Sequence, residues 1–192
     1  TISIDGIPLT KSPSAIGYML QKDHLFEWRN IFSNISLGLE IQKRLDEPAR
    51  QELLEMMAAY GLAGFEYAKP SELSGGMRQR AALIRTLALK PELLLLDEPF
   101  SALDYQTRLS VCDDISSIIR RAHKTAILVT HDLSEAISVA DRIVVLSSRP
   151  GKVKAILPIT FDSGCTSPLD RRNCPEFSTY FNMVWKELKT YE

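Results

Sequence analysis

Two acidic residues follow a short apolar run near the middle of the chain. The run is Leu93–Leu96, and Asp97 and Glu98 come directly after it. An uninterrupted apolar run is typical of a strand covered on both faces of a parallel sheet, and open α/β sheets bind ligands at the carboxyl ends of their strands. Carboxylates at such an edge can bind Mg²⁺ and orient a water towards a phosphoryl group. The simpler interpretation is a solvated or capping acid pair, and the glycine-led helix start that precedes this strand favours the phosphate chemistry instead.

A second phosphate-handling element precedes this strand. Ser74 is a favourable helix N-cap, Gly75 and Gly76 follow it, and helix-forming residues continue from Met77 to Leu89. The first N–H groups of a helix have no partner inside the helix, and the helix dipole is positive at that end. The sequence therefore predicts an anion site at Ser74–Gly76.

Two further polar residues follow predicted strands. Gln21 ends the apolar stretch that begins at Ile16, and His131 follows the strand predicted over 126–130. Because parallel strands end at one edge of a sheet, the His131 side chain is a candidate for the same site as Asp97 and Glu98. Taken alone, Gln21 is more simply interpreted as a strand-end amide bonded to a loop.

Composition describes an ordinary globular chain. The 192 residues are 45% hydrophobic and 24% charged with a net charge of −1, which gives no support for a nucleic-acid surface. No apolar run approaches the ~20 residues that cross a bilayer, so we expect membrane association through a partner. The three cysteines are sparse and odd in number, which predicts reduced thiols. Cys165 and Cys174 could share a metal, but free thiols are the favoured interpretation.

The positioning elements are predicted from periodicity. Apolar residues at Ile31, Ile35 and Leu39 indicate one helix, and a stripe from Leu53 to Tyr60 indicates a second helix that ends at Gly61. Further strands are predicted over 143–146 and 156–161, a loop over 163–174 and a closing helix over 177–188.

Five motifs, in order and in register, resemble those of the ATP-binding-cassette (ABC) ATPases. Residues 73–80 resemble the signature motif, and residues 93–99 resemble the Walker B strand with its catalytic glutamate. Residues 101–104 are similar to the D-loop, Gln21 to the Q-loop glutamine and His131 to the switch histidine. Residues 148–152 and 172–177 resemble the nitrate, sulfonate and taurine importer branch.

The resemblance implies a fold and three domain regions. The fold is α/β, a P-loop NTPase-type mostly parallel sheet with flanking helices and an α-helical subdomain. We expect one ABC ATPase domain over 1–192, with the helical subdomain at about 30–90, the catalytic α/β core at 91–160 and a C-terminal loop and helix at 161–192.

The resemblance also implies residue roles and cofactors. ATP and Mg²⁺ are the expected cofactors, Glu98 and His131 the catalytic residues, and Asp97 and Gln21 the metal-binding pair. The nucleotide-binding residues are expected to be Ser74, Gly75, Gly76, Gln21 and Asp104.

Partners and location follow from the same resemblance. We expect a head-to-tail dimer with a second ABC ATPase subunit, contact with transmembrane permease subunits near Lys22–Arg29, indirect dependence on a solute-binding protein, and no nucleic acid. Phe26 and Trp28 suit such an interface, although at least one ring is expected to fill the core. The expected location is peripheral, at the cytoplasmic face of the cell membrane. The alternatives are a non-catalytic partner that supplies only a signature face, and a non-transport ABC ATPase.

A phosphate loop of the form Gly-x-x-x-x-Gly-Lys-Ser/Thr does not occur in the 192 residues. The Gly151-Lys152 pair lacks the required neighbours. We therefore expect an N-terminally truncated domain in which the N-terminal part of the fold, with its Walker A motif, is missing. We expect no ATP turnover by this piece alone and an exposed sheet edge where further strands would pair.

Overall fold

The structure is a computed structural model that describes residues 2–4, 6–11, 15–162 and 164–189. It divides into two compact units, Thr1–Val129 and Thr130–Glu192. Thr1 and Asp5, near the start of the chain, lie outside the described residues. Within the described ranges, no helix has the length and apolar character needed to cross a membrane.

The first unit combines a parallel sheet with a layer of helices, which confirms the predicted α/β fold class. Its strands are β1 (Ser3–Ile4), β2 (Ile7–Pro8), β3 (Ile16–Met19), β4 (Leu93–Asp97) and β5 (Thr125–Val129). Its helices are α1 (Ile31–Ile41), α2 (Glu47–Ala59), α3 (Gly75–Leu87) and α4 (Tyr105–Arg121), with short 3-10 turns at Leu9–Lys11 and Pro70–Glu72.

The parallel sheet has the order β3-β4-β5. Tyr18 pairs with Leu95 of β4, and Leu95 pairs with Ile127 of β5, so all three strands end at one edge. Leu94 and Leu96 are buried, whereas the alternating residues Leu93, Leu95 and Asp97 are half-buried. The face of β4 that carries Leu94 and Leu96 is buried, and full coverage of its other face stays a prediction.

The helical layer has its own apolar core. Asn30 and Asp46 cap α1 and α2 by accepting from backbone N–H groups, and Gly61, in a left-handed conformation, follows α2 as predicted. The buried residues of this core come from all three helices and the connecting loops: Leu25, Ile31, Phe32, Ile35, Leu39, Leu53, Met57, Leu62, Leu73, Ala81, Ile84 and Ala88. This core fixes the start of α3 relative to α1 and α2.

The second unit is a hairpin covered by helices. It contains α5 (Leu133–Val139), β6 (Arg142–Leu146), β7 (Val153–Pro158), α6 (Pro168–Asn173) and α7 (Pro175–Lys189). β6 and β7 are antiparallel. The core consists of Ile137, Ile143, Val145, Ile159 and Val184.

Two predictions for this unit are wrong. The segment predicted as a loop contains α6, because Ser167 and Asp170 form a capping box and Pro168 occupies the first turn. Cys165 and Cys174 form a disulfide instead of remaining free thiols, since the chain around α6 brings their Cα atoms to 6.7 Å. Cys112 is a buried thiol in α4, as expected.

Candidate functional site

The two acids lie at the carboxyl end of the central strand. Asp97 is the last residue of β4, and the N–H of Glu98 donates to the Val129 carbonyl of β5 at 2.8 Å. Glu98 has φ +45°, in the left-handed region that residues other than glycine seldom adopt. The backbone turns sharply at this residue, and such strain is concentrated at functional sites.

Gln21 contacts this turn from the neighbouring strand. Its Nε2 donates to Glu98 Oε2 at 3.3 Å and to Ser101 Oγ at 3.1 Å. Ser101 Oγ in turn donates to the Glu98 carbonyl at 3.0 Å. We call Gln21, Glu98 and Ser101 the edge network. It joins residues that are about 80 positions apart in the chain, and it holds the Glu98 carboxylate by a side chain that follows β3.

Tyr18 is a contact that the sequence analysis missed. Its hydroxyl donates to Asp97 Oδ2 at 2.9 Å. This hydrogen bond, together with some burial and the negative charge of Asp97, raises the pKa of Tyr18. A polar tip inside a predicted strand was the available signal, but the β3–β4 register is needed to identify its partner. Tyr18 therefore orients the Asp97 carboxylate through a hydrogen bond to one of its two oxygens.

The predicted anion site at the start of α3 has the expected cap. Ser74 is exposed, and its hydroxyl accepts from the Met77 N–H at 3.3 Å. The two glycines also serve packing: a Cβ on Gly76 would lie 2.6 Å from Val111 Cγ2 of α4, and one on Gly75 would lie 3.0 Å from Leu103 Cδ2. Gly76 therefore permits the close approach of α3 to α4, Gly75 leaves room for the turn before α4, and the nucleotide role of both residues stays a prediction.

Asp104 caps the next helix. Its carboxylate accepts from the Thr107 N–H at 3.1 Å, at the start of α4. Hydrogen bonds from the side chain and the N–H of Thr107 lower the pKa of Asp104. The side chain stabilises α4 within the chain, and its expected contact with a partner subunit stays a prediction.

His131 lies at the start of the second unit. The hydroxyl of Thr130 donates to Glu135 Oε2 at 2.7 Å and accepts from the Asp132 N–H at 3.0 Å. Asp132 caps α5 by accepting from backbone N–H groups. His131 therefore lies in a turn held on both sides, and its approach to Asp97 and Glu98 stays a prediction.

The donor set suits Mg²⁺ bound mainly through water and phosphate. The described residues contain no group of three or more histidine, cysteine or acidic side chains able to hold a metal. Mg²⁺ is commonly held by one or two carboxylates together with waters and substrate phosphates. Asp97 offers a carboxylate at the sheet edge. Gln21 uses Nε2 in the edge network, so its Oε1 is the atom that would bind a metal.

The segment after Gln21 presents an exposed aromatic residue. Trp28 is 74% exposed, and its ring centroid lies 4.7 Å from that of the half-buried Phe26. Lys69 Nζ donates to the Trp28 carbonyl at 2.9 Å. Neither ring belongs to the buried helical core, so the expectation that at least one fills it is wrong.

Comparison with known proteins places this fold and site in a family. Residues 1–101 match the family model described as ABC transporter. The uncharacterized ABC transporter ATP-binding protein YtlC of Bacillus subtilis is 46% identical over 191 residues, 100% of this chain and 74% of YtlC. The chain thus belongs to the ABC transporter family, as an ABC-type ATPase domain.

Relatives with named solutes are also similar. The taurine import ATP-binding protein TauB of Yersinia pestis is 41% identical over 160 residues, 83% of this chain and 63% of TauB. The aliphatic sulfonates import ATP-binding protein SsuB of Bacillus licheniformis is 38% identical over 193 residues, 100% of this chain and 72% of SsuB. The matched part of TauB is less than two thirds of its length.

A solved structure supports the fold assignment. The ATP-binding cassette MJ0796, in a dimeric post-hydrolysis state bound to ADP and Pi, superposes with a TM-score of 0.63 at 30% identity. The match covers 83% of this chain and 69% of MJ0796.

Proposed function

We propose that the chain is part of an ATP-hydrolysing subunit that energises an ABC importer for a small sulfonate-like solute. The observation that carries the proposal is the edge network, in which Gln21 holds Glu98 at the carboxyl edge of a parallel sheet. Nucleotide sites of α/β sheets occur at this edge. The taurine and sulfonate importer names of two relatives support the solute class, and nitrate is a further candidate from the motif resemblance.

In this proposal the acids and their neighbours act on the terminal phosphate. Glu98 polarises the attacking water and works as the general base. Asp97 and Gln21 would hold Mg²⁺, which would supply positive charge beside the phosphates, and His131 would contact the γ-phosphate. A positioned base contributes about 10²- to 10⁴-fold in rate.

The other predicted residues act across a dimer. Ser74, Gly75 and Gly76 would bind the nucleotide held by a second ABC ATPase subunit, and Asp104 would couple the two sites. The solved structure of MJ0796 is a dimer bound to ADP and Pi, which supports dimer formation in this proposal. The phosphates of ATP carry several negative charges. The free N–H groups and the positive dipole end at the start of α3 would therefore bind ATP through its phosphates.

The segment Lys22–Arg29 is the proposed permease contact. Trp28 is exposed on the segment that follows Gln21, so a partner that moves this segment also moves a site residue. Aromatic residues such as Trp are enriched at binding hot spots. The subunit would lie at the cytoplasmic face of the membrane, held there by permease subunits, and a solute-binding protein would act on it indirectly.

The test is hydrolysis by the longest polypeptide that the gene encodes, called the full-length protein below. Glu98→Gln should lower kcat by about 10²- to 10⁴-fold while ATP binding is retained. Glu92→Gln is the matched control, since Glu92 is an exposed acid at the opposite end of β4. It should change kcat less than twofold.

Two outcomes would overturn the enzymatic proposal. Equal hydrolysis by wild type and Glu98→Gln would remove Glu98 from the reaction. No hydrolysis by the wild type, combined with ATP-dependent binding to a second ABC subunit, would instead favour the non-catalytic partner. The 192 residues alone should show no Glu98-dependent hydrolysis, because they contain no phosphate-loop motif.

A further inference from the structure

The residues directly after Gln21 are held against α3 by two arginines. Arg78 Nε donates to Asp23 Oδ2 at 3.1 Å. Arg85, about two turns further along the same face of α3, donates through Nη2 to the Asp23 carbonyl at 2.6 Å and through Nη1 to the His24 carbonyl at 2.8 Å. The Gln21 segment is therefore attached to α3 at three points.

Asp23 also determines the local shape of this segment. Its Oδ1 accepts from the Leu25 N–H at 3.1 Å, which forms a turn over His24, a residue with φ +46°. Leu25 is buried in the core of the helical layer. Both carboxylate oxygens of Asp23 are thus used, one for the turn and one for Arg78.

Arg78 also contacts the residue that directly precedes the predicted anion site. Its Nη1 donates to the Leu73 carbonyl at 2.8 Å, and Leu73 directly precedes Ser74. One guanidinium group therefore binds a residue two positions after Gln21 and a residue one position before Ser74. The Arg fork is planar and stiff, so a shift of one partner changes the geometry at the other.

We propose that the Asp23–Arg78 ion pair links the edge network to the start of α3, with Asp23 and Arg78 as positioning residues. A nucleotide that draws Gln21 towards the metal would displace Asp23, and Arg78 would pass that displacement to Ser74. This inference rests on the proposed function for its part in catalysis, but the ion pair itself is tested separately.

Stability alone does not distinguish this role from an ordinary surface ion pair. The side chains of Arg78 and Asp23 are 35% and 28% exposed, and ion pairs of this kind contribute little to stability. The matched control is a second pair on the same helix, Arg80 Nη1 with Asp114 Oδ2 of α4 at 2.5 Å. Asp23→Asn and Asp114→Asn are the same chemical change, and only the first touches the Gln21 segment.

The first experiment is hydrogen–deuterium exchange of the full-length protein without nucleotide. Asp23→Asn and Arg78→Gln should each speed exchange of the amides of residues 22–25 by about two- to fivefold, because both weaken the attachment to α3. Asp114→Asn should leave these amides unchanged. Unchanged exchange in both test variants would overturn the proposal, whatever the protein hydrolyses.

The second experiment is a double-mutant cycle on ATP hydrolysis. Asp23→Asn and Arg78→Gln should each lower kcat roughly ten- to a hundredfold, with the Kd for ATP within twofold of wild type, since misplacement of a site residue by about 1 Å has costs of this order. The loss of kcat in the double variant should not exceed the larger of the two single-variant losses, because the two residues act through one contact. Asp114→Asn should keep wild-type kcat.

The remaining outcomes separate the two proposals. Faster exchange with unchanged kcat, or additive losses of kcat, would overturn the positioning role and leave the proposed function intact. A wild-type protein without Glu98-dependent hydrolysis would overturn the proposed function and the positioning role together. The exchange data would then still show that the ion pair holds the segment.

Discussion

Asp104 is an acid whose charge matters to the helix it caps. Its lowered pKa arises from hydrogen bonds to Thr107, which favour the carboxylate. A carboxyl group with a depressed folded-state pKa adds stability above its unfolded pKa of about 3.9, and that stability is lost as the pH falls through the folded-state pKa.

Asp104→Asn should therefore have a lower Tm than wild type at pH 7, and the Tm difference should be smaller at pH 2.5. The asparagine keeps a capping oxygen but lacks the charge that interacts with the helix dipole. Asp104→Ala, which has no capping oxygen, should be less stable at both pH values. Thermal unfolding followed by circular dichroism gives the Tm of all three proteins at each pH. A constant Tm difference between wild type and Asp104→Asn across this range would contradict the assigned cause.

The sequence predicts a site residue where a motif identifies it. It does not predict a residue whose role depends only on a contact with a distant part of the chain. Gln21 and Glu98 could be named because each follows an apolar run and occupies a motif position, and the structure joins them by a hydrogen bond. Tyr18 and Asp23 could not, since their partners lie 79 and 55 positions away. Such pairs depend on strand register and helix packing, which a single sequence does not encode locally.

At the scale of elements, the approach of α3 to α4 depends on Gly76. A Cβ there would lie 2.6 Å from Val111 Cγ2, and a β-branched side chain in a helix has little rotamer freedom to move away. Gly76→Ala should lower the free energy of unfolding by about 1 kcal/mol or more, because overpacking costs about 1–3 kcal/mol and the better helix propensity of alanine offsets part of this.

A second substitution identifies the cause. In the Val111→Ala background, Gly76→Ala should be neutral or stabilising, since the clashing methyl group is gone. Urea unfolding of the four proteins measures the difference. Equal destabilisation by Gly76→Ala in both backgrounds would show that contact with Val111 is not responsible.

Helix α6 stabilises the end of α5 through Arg171. The side chain is buried, and its Nη1 donates to the carbonyls of Ser138, Val139 and Ala140 at 3.2–3.4 Å. These carbonyls lie at the C-terminus of α5, where cations are favourable. Arg171→Gln should cost about 2 kcal/mol of unfolding free energy, the range for hydrogen bonds to a charged group.

The neighbouring Arg172 provides the control. Arg172 lies on the same helix, but its side chain is not buried. Arg172→Gln should therefore change the free energy of unfolding by about 0.5 kcal/mol or less. Denaturant unfolding measures both variants, and equal effects would contradict the capping role of Arg171.

Elements were predicted well where periodicity and caps agree. The stripe of Ile31, Ile35 and Leu39 and the Ser74 cap correspond to α1 and α3. Helix α6 was missed because Gly164, Pro168 and Pro175 are loop-forming residues, and these outweighed the capping box in the sequence analysis. The disulfide was missed because sparse cysteines predict thiols, while pairing depends on how the chain folds around α6.

At the scale of the whole molecule, β5 presents an unpaired edge. It pairs with β4 on one side, and within the described ranges no strand pairs with its other side. Ile127 and Val129 on this strand are 51% and 55% exposed. An exposed apolar edge strand is a template for pairing with another chain, as the sequence analysis expected for this fold.

The 192-residue chain should therefore self-associate at micromolar concentration, and Ile127→Lys should reduce that association severalfold. A lysine on an edge strand opposes strand pairing because its charge must lose water when a second strand approaches. Ile41→Lys is the matched control, since Ile41 is 73% exposed on α1. The same exposed apolar side chain is replaced by lysine, but at a position that is not on the sheet. Sedimentation velocity at several concentrations separates monomer from larger species. Association that both lysine variants reduce equally would assign it to general surface hydrophobicity, and a monomeric wild-type chain would show that the β5 edge is protected.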